Sequence, residues 1–498
     1  MKNHFLRILF LILIVFTSED LKAGNALGGD TAFIRTYGGV NFEEFRDIVQ
    51  TPDSGFLMCG ITNGYGQGSN AIYVVKAKKD GTHVWSRALG GVSADLAYSI
   101  AATNSGQYLI AGTSSSGGNG GYDGYLICID DTGGVVWDKY YGGTDWDFLN
   151  SIAILPDQSI LLAGESYTYS DGGSDAWILH LNSIGDTIWT NHFGSSGNDA
   201  FKNICLSSTA IYLSGYVDST DADGLDGYLV KLDFNGNEIW QKRFNNLGRD
   251  LLNGCLIEPN GELVIYGSTA PFDSTKNDIW VEKTDTNGTS IWISNSGSQE
   301  DDYANKVISI RNDEYAIIGQ KNPSGLGNKS MFTAQYNSGG FQLSSHSFGG
   351  GNDEEGYSAI RTIEGGIAFV GYSTSFGFGN KDAMLVILRY DSIINFSLLE
   401  LPVPYFEILS PIGVDDIDLS KLVTVYPNPA STHIQVKSDP ELAIESIMIQ
   451  DVLGKNLFLD IEVNASTFSV DFLPSGIYVL KIRFENNKNY MGKLVIVK

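Results

Sequence analysis

The chain has 498 residues, with 58 glycines, only 12 prolines and no triplet period, a profile that asks for many tight turns and excludes a collagen-like rod. Hydrophobic residues make up 43% and aromatics 12%, which is ample for a core and too much for global disorder. Lys and Arg total 32 against 58 Asp and Glu, a net charge of −26 that repels nucleic acid and anionic membrane at long range and favours cations and cationic partners.

Residues 1–23 read as a signal peptide. Lys2 and Arg7 flank and interrupt an apolar run over 5–16, polar residues follow at 17–20, and the small-residue end is Leu21-Lys22-Ala23-Gly24. The run is too short for a bilayer span, and no later stretch is apolar for long enough, so no transmembrane segment is expected.

From 24 to 391 the chain repeats every 51–53 residues. Glycine recurs after an apolar run at Gly60, Gly112, Gly164, Gly215, Gly267, Gly319 and Gly371. An acid recurs at Glu43, Asp95, Asp147, Asp199, Asp250, Asp301 and Glu354. A third column reads Ala71, Asp123, Asp175, Asp226, Asp278, Ser330 and Asp382, and a fourth Trp85, Trp137, Trp189, Trp240 and Trp292.

Within one unit the spacing predicts four short strands, at 97–103, 107–113, 124–129 and 135–141, with a hairpin turn at Asp131-Thr132-Gly133-Gly134 and no helical period. Four strands per unit is the pattern of a β-propeller blade, and seven units give a seven-bladed ring. The seventh unit lacks its tryptophan strand. Residues 33–39, Phe33-Ile34-Arg35-Thr36-Tyr37-Gly38-Gly39, match that strand (compare Trp85-Ser86-Arg87-Ala88-Leu89-Gly90-Gly91) and are expected to complete the last blade. The cysteines Cys59, Cys128, Cys205 and Cys255 fall in four different units, so no pairing is expected.

The units resemble the SBBP-type bacterial propeller repeats, whose strings here are Asp226-Gly227-Tyr228-Leu229-Val230-Lys231 and Asp233-Phe234-Asn235-Gly236-Asn237-Glu238-Ile239-Trp240. The resemblance speaks to fold more than to function.

Residues 392–422, with Pro402, Pro404, Pro411 and the acids Asp415, Asp416 and Asp418, read as a linker. Residues 423–498 alternate in strand fashion at 433–437, 446–450 and 467–470, which suits a small β-sandwich. This module resembles the C-terminal sorting domain of type IX secretion cargo from the Bacteroidota, in Tyr426-Pro427-Asn428-Pro429-Ala430, Asp451-Val452-Leu453-Gly454-Lys455, Ser475-Gly476-Ile477-Tyr478 and the terminal Lys498. The resemblance implies the type IX machinery as a partner. It also implies passage through the periplasm and across the outer membrane, removal of the domain, and release or surface attachment.

Chemistry is expected on the face where the acid column begins the blades. The seven acids read either as a negative ring for a cationic ligand or as acceptors for the amides of their own turns. The loops on that face carry Tyr65, Tyr122, Tyr167, Tyr169, Tyr216, Phe272, Phe376 and Phe378, aromatics suited to stacking on sugar rings or docking to proteins. One loop, with Asp221, Asp223 and Asp226, follows half of an EF-hand pattern without its closing glutamate; calcium is the cofactor it would take. No nucleophile, zinc or phosphate-loop motif occurs. The reading is a secreted or surface-borne propeller that binds a polysaccharide or an extracellular protein. A glycan hydrolase or lyase with channel carboxylates and a structural surface-layer component remain as alternatives.

Overall fold

The structure is a computed structural model. It describes residues 33–498 apart from 171, 219–223, 246–247, 272–275, 299, 312–313, 323–328, 349–351, 378, 389–404, 409–422, 427–429, 439–443, 451–455, 461–466 and 485–488. The predicted signal peptide therefore lies outside the described residues, as do Phe272, Phe378, Asp221 and Asp223. The described regular structure is all strand, and no helix there is long and apolar enough to cross a membrane.

Each repeat unit becomes one antiparallel sheet in simple chain order. The second unit runs Asp95–Ala102, Tyr108–Ser114, Asp123–Ile129 and Val135–Tyr141, and the other units follow the same plan. In the first, second, third and seventh units the first strand starts at the acid itself rather than after it. Six four-stranded sheets precede a seventh made from Glu354–Arg361, Ile367–Ser373, Asp382–Leu388 and the N-terminal strand Phe33–Gly38. That last pairing is antiparallel, with Phe33 opposite Ile387 and Tyr37 opposite Ala383. The first strand of every sheet packs against the first strand of the next, and the seventh against the first, so the sheets close into a β-propeller around a central channel.

Two of the sequence columns find their physical reason here. At each of Gly60, Gly112, Gly164, Gly215, Gly267, Gly319 and Gly371 a Cβ would stand 1.8–1.9 Å from a carbonyl oxygen of the neighbouring first strand. Each contact sits where that strand's register slips, at a β-bulge that pushes the two backbones together. The fourth-strand tryptophans lie on the hairpin glycines of the following blade: Trp85 on Gly133, Trp137 on Gly185, Trp189 on Gly236, Trp240 on Gly288 and Trp292 on Gly340. Phe33 takes the same place on Gly81 and so completes the series across the seam.

The interior is divided into separate apolar cores, each shared by two adjacent blades. The one spanning the seam joins Tyr37, Val370 and Leu385 of the seventh blade to Phe45, Tyr73 and Val75 of the first. Polar links add to this. Asp47 of the first blade accepts from Ser99 of the second (2.9 Å) and from Ser358 of the seventh (2.7 Å).

The expectation of unpaired cysteines is overturned. Cys205 and Cys255 form a disulfide with their Cα atoms 6.1 Å apart, while Cys59 and Cys128 are free and buried. One cysteine per unit reads as separation along the chain. In a ring, equal registers of adjacent units become neighbours, and both of these lie on first strands, Ala200–Leu206 and Gly248–Ile257.

Beyond the ring, Tyr405–Ile408, within the expected linker, adds as a parallel fifth strand beside Phe33–Gly38. The C-terminal module forms a three-stranded and a four-stranded sheet. Ile434, Val436 and Phe468 of the first and Ile447, Ile449, Leu480, Ile482 and Leu494 of the second share one core, which makes it a small β-sandwich.

Candidate functional site

The face at which the first strands begin also carries the loops between second and third strands, because alternate antiparallel strands bring both connections to one end. On it the acids of the repeat are buried. Glu43 accepts from the Gly39 amide (2.9 Å) and Thr62 Oγ1 (2.9 Å), and Asp95 from the Gly91 amide (2.7 Å) and Ser116 Oγ (2.7 Å). Asp147 accepts from the Gly143 amide (2.8 Å) and Thr168 Oγ1 (2.7 Å), and Asp199 from the amides of Ser195 and Asp218. Glu354 accepts from Ser373 Oγ (2.8 Å), and Asp250 is buried at the same register. These carboxylates fix the start of each blade, and none of them is open to solvent.

The sixth member needs correcting. Asp302, not Asp301, is the buried acid that accepts from the amides of Ser298 and Asn322. Asp301 instead accepts from the Asn277 amide (2.9 Å) and lies beside Lys276. Two adjacent acids hid the one-residue offset.

The third-column acids come close to these. A Cβ on Gly38 would lie 2.6 Å from a Glu43 oxygen and 2.8 Å from one of Asp382, and one on Gly194 would meet both Asp199 and Asp175. Burial raises the carboxyl pKa of Asp123, with Asp147 adding to it, and that of Asp278, with Asp302 adding to it. Burial likewise raises Glu43 and Asp199. A carboxylate raised in the folded state contributes stability that is fully present below the ordinary carboxylate value and is lost as pH rises through the folded value. The denaturant midpoint is therefore expected to climb as pH falls towards the ordinary carboxylate range. Asp123→Asn should raise the midpoint at pH 7 and flatten that slope; an unchanged slope would mean that this pair does not set it.

The loop aromatics divide. Tyr65 and Phe376 are buried, Tyr65 stacked on Tyr73 at 6.0 Å and Phe376 in the core between the sixth and seventh blades, so they serve packing. Tyr169 is exposed and rests against Trp177 and His192. Tyr122 and Tyr167 meet at a residue the sequence reading passed over, Trp146, which is 53% exposed. Tyr122 lies 6.0 Å from Trp146 and Tyr167 lies 6.3 Å from it, both edge-on, and Phe148 stacks on Tyr122 at 5.8 Å. The indole also packs over Gly121, where any side chain would displace it. A large aromatic side chain is thus held rigid and still presented to solvent, on three sides by aromatic rings.

Around the channel mouth stand further residues at alternate positions of the first and second strands. Arg46 lies 4.0 Å from the Tyr357 ring and pairs with Glu44, which also meets Lys381 at 3.0 Å. Glu165 faces Lys202 at 3.6 Å, and Lys202 lies 5.4 Å from the Tyr216 ring. Glu355 faces Lys329 at 3.6 Å and accepts from the Tyr372 hydroxyl at 3.2 Å. Tyr98 is pushed up to about 12 by burial and by Glu44 and Glu165, with Arg46 opposing. Each mouth glutamate is therefore engaged by a cation. The period-2 alternation beyond the acid column was the signal that could have found Arg46, Tyr98 and Tyr357, since it aims the third residue after each acid at the channel.

Asp226 is buried on the third strand of its blade. Its expected calcium partners Asp221 and Asp223 fall outside the described residues, and among the described residues no three His, Cys, Asp or Glu side chains gather as metal ligands.

Comparison with known proteins speaks first to the C-terminal sandwich. Residues 424–497 match the family of the secretion system C-terminal sorting domain. The sorting domain marks the chain for export by type IX secretion to the cell surface or the extracellular space. Inside it, the Tyr478 hydroxyl donates to the Pro474 carbonyl (2.9 Å) and the Lys498 amide to Ser475 Oγ (2.9 Å), which tie two of the expected strings to the fold; Pro427, Asn428, Pro429 and 451–455 lie outside the described residues. No curated protein matches the chain. Among solved structures, the Pan2 WD40 domain of Neurospora crassa is 12% identical over 70% of this chain and 90% of that one, at a TM-score of 0.44. YCF48 bound to D1 peptide is 10% identical over 74% and 97%, at 0.43. Sqt1 from Chaetomium thermophilum is 11% identical over 74% and 100%, at 0.42. Likenesses of this size carry no argument about function.

Proposed function

We propose that the propeller is an exported binding module that holds a polysaccharide at its channel mouth, and that residues 423–498 engage the type IX machinery and are removed once the chain has crossed the outer membrane. The observation that carries the reading is Trp146, exposed and held rigid by Tyr122, Tyr167 and Gly121. Leaving a large ring in water on a well-supported platform makes sense where a ligand covers it. The rings packed against Trp146 are Tyr122, Phe148 and Tyr167, two of which carry a hydroxyl, which fits the mixed polar and apolar faces of sugar rings.

A protein ligand is the second reading, since the same rings would serve as anchors. The glycan-cleaving alternative is less favoured, because Glu44, Glu165 and Glu355 are each committed to a cation. The test is retention of the full chain on a panel of insoluble polysaccharides, with the supernatant assayed for released sugars. Trp146→Ala and Tyr167→Ala should each weaken retention about tenfold, on the order of 1.4 kcal/mol. Retention indifferent to both substitutions would refute the placement of the site, and released oligosaccharides would establish an enzyme.

A further inference from the structure

In three blades the residue just before the first-strand acid has the same duty. In the fourth, sixth and seventh blades it is Asn198, Asp301 or Asp353. Its side-chain oxygen accepts the backbone N–H of Ser174 (3.1 Å), Asn277 (2.9 Å) or Lys329 (2.8 Å), in the loop of the preceding blade. In the third and fifth blades the same position holds Trp146 and Arg249. Neither side chain has an acceptor, so the capping duty is given up there, and both are exposed. The first and second blades lack the acceptor too, but hold the half-buried Phe42 and the buried Ala94 there; only the third and fifth put a large exposed aromatic and an exposed cation at the freed position, where they are open to a ligand.

The stretch between them, across the third to fifth blades, is of one character. Tyr167 adjoins Trp146 at 6.3 Å. Lys202 follows, 5.4 Å from the ring of Tyr216. Arg249 lies near enough to act electrostatically on the phenols of both Tyr216 and Tyr303. Lys202 is shared with Glu165, but among the described residues no salt bridge engages Arg249. Arg243 and Arg361 are likewise exposed without a salt bridge among the described residues; what sets Arg249 apart is its place just before a first-strand acid, at the register that holds Trp146 two blades earlier.

We infer that this arc binds an anionic glycan, with sugar rings on Trp146 and Tyr167 and a carboxylate or sulfate substituent on the Arg249 guanidinium. The inference rests on the polysaccharide reading above and narrows it. A planar guanidinium offers two parallel N–H donors that match either oxyanion. The net charge of −26 works against such a ligand at a distance, so recognition here is local.

The test measures dissociation constants of the full chain for polygalacturonate and its methyl ester, the same polymer without its charge, and for κ-carrageenan and agarose, a sulfated and a neutral galactan. At least one charged polymer should bind tenfold or more tightly than its neutral counterpart; the pair that shows the difference identifies the substituent. Arg249→Gln should abolish that ratio and leave the thermal midpoint unchanged, since the side chain is exposed, whereas Trp146→Ala should weaken charged and neutral polymers alike. Equal binding within both pairs, or a ratio that survives Arg249→Gln, overturns the inference while leaving the polysaccharide reading in place. No binding to any polymer removes both.

Discussion

Gly164→Ala should cost about 3 kcal/mol of folding stability, read as a lowered denaturant midpoint. The added methyl would stand 1.8 Å from the Phe148 carbonyl oxygen, which cannot swing away as the end of a side chain could, because it belongs to the bulged first strand of the blade. Relief requires moving the backbone at the bulge, and with it Asp147 and Phe148 on one side of the mouth. Any of the seven column glycines should behave alike. Gly106→Asn is the contrasting case: that glycine has a φ of +80° with nothing within 4 Å of an added Cβ, and asparagine tolerates the left-handed region. It should be close to neutral. A column glycine that accepts alanine without loss would show that the bulge is slack.

The second large effect is expected on breaking the Cys205–Cys255 bridge. It closes a loop of 50 residues, nearly a whole blade, and the chain-entropy treatment of such a loop gives about 4 kcal/mol. The paired substitution Cys205→Ala with Cys255→Ala should lower the midpoint accordingly, and a reductant should destabilise the wild type but not the pair variant. The junction explains why a covalent link is useful there. Between the third and fourth blades Asn150 donates to the Phe201 carbonyl (2.9 Å). Asn253 and Asn305 make the same bond to Ala304 and Gly356 at the two junctions after the fifth and sixth blades. The fourth blade has Lys202 at that register, turned to Glu165 instead, so the disulfide holds the junction the amide does not. If reduction leaves the midpoint untouched, the other contacts of that junction already suffice.

What the sequence disclosed was what it repeats. The column glycines, the buried acids and the tryptophans recur because each meets a constraint present in every blade, a bulge, a blade start or a hairpin to cover. The strand Phe33–Gly38 was legible for the same reason, being a copy of a pattern displaced to the other end of the chain. The site was only partly legible because it consists of departures from the repeat. Trp146 and Arg249 each occur once, and they gain meaning only beside Asn198, Asp301 and Asp353, whose shared capping bond is a matter of geometry. The disulfide escaped notice because nearness in a ring is set by register, not by distance along the chain. Tyr65 and Phe376 misled in the opposite sense: glycine-rich loops curl back, and an aromatic within them can end in the core.

The seam has a consequence for a chain that must leave the cell. The strand Phe33–Gly38 enters the ring beside the third strand of the seventh unit, Phe33 against Ile387, at the far end of the repeat array. Until the seventh unit has followed the other six, one apolar core lies divided, with Phe45, Tyr73 and Val75 uncovered on one edge and Val370 and Leu385 uncovered on the other. A chain halted partway, or one shortened by a single unit, is thus an open arc with two adhesive ends rather than a smaller ring. Wholeness is a condition of good behaviour in this architecture, and the sorting domain, which follows the last unit, is attached only to chains already able to close.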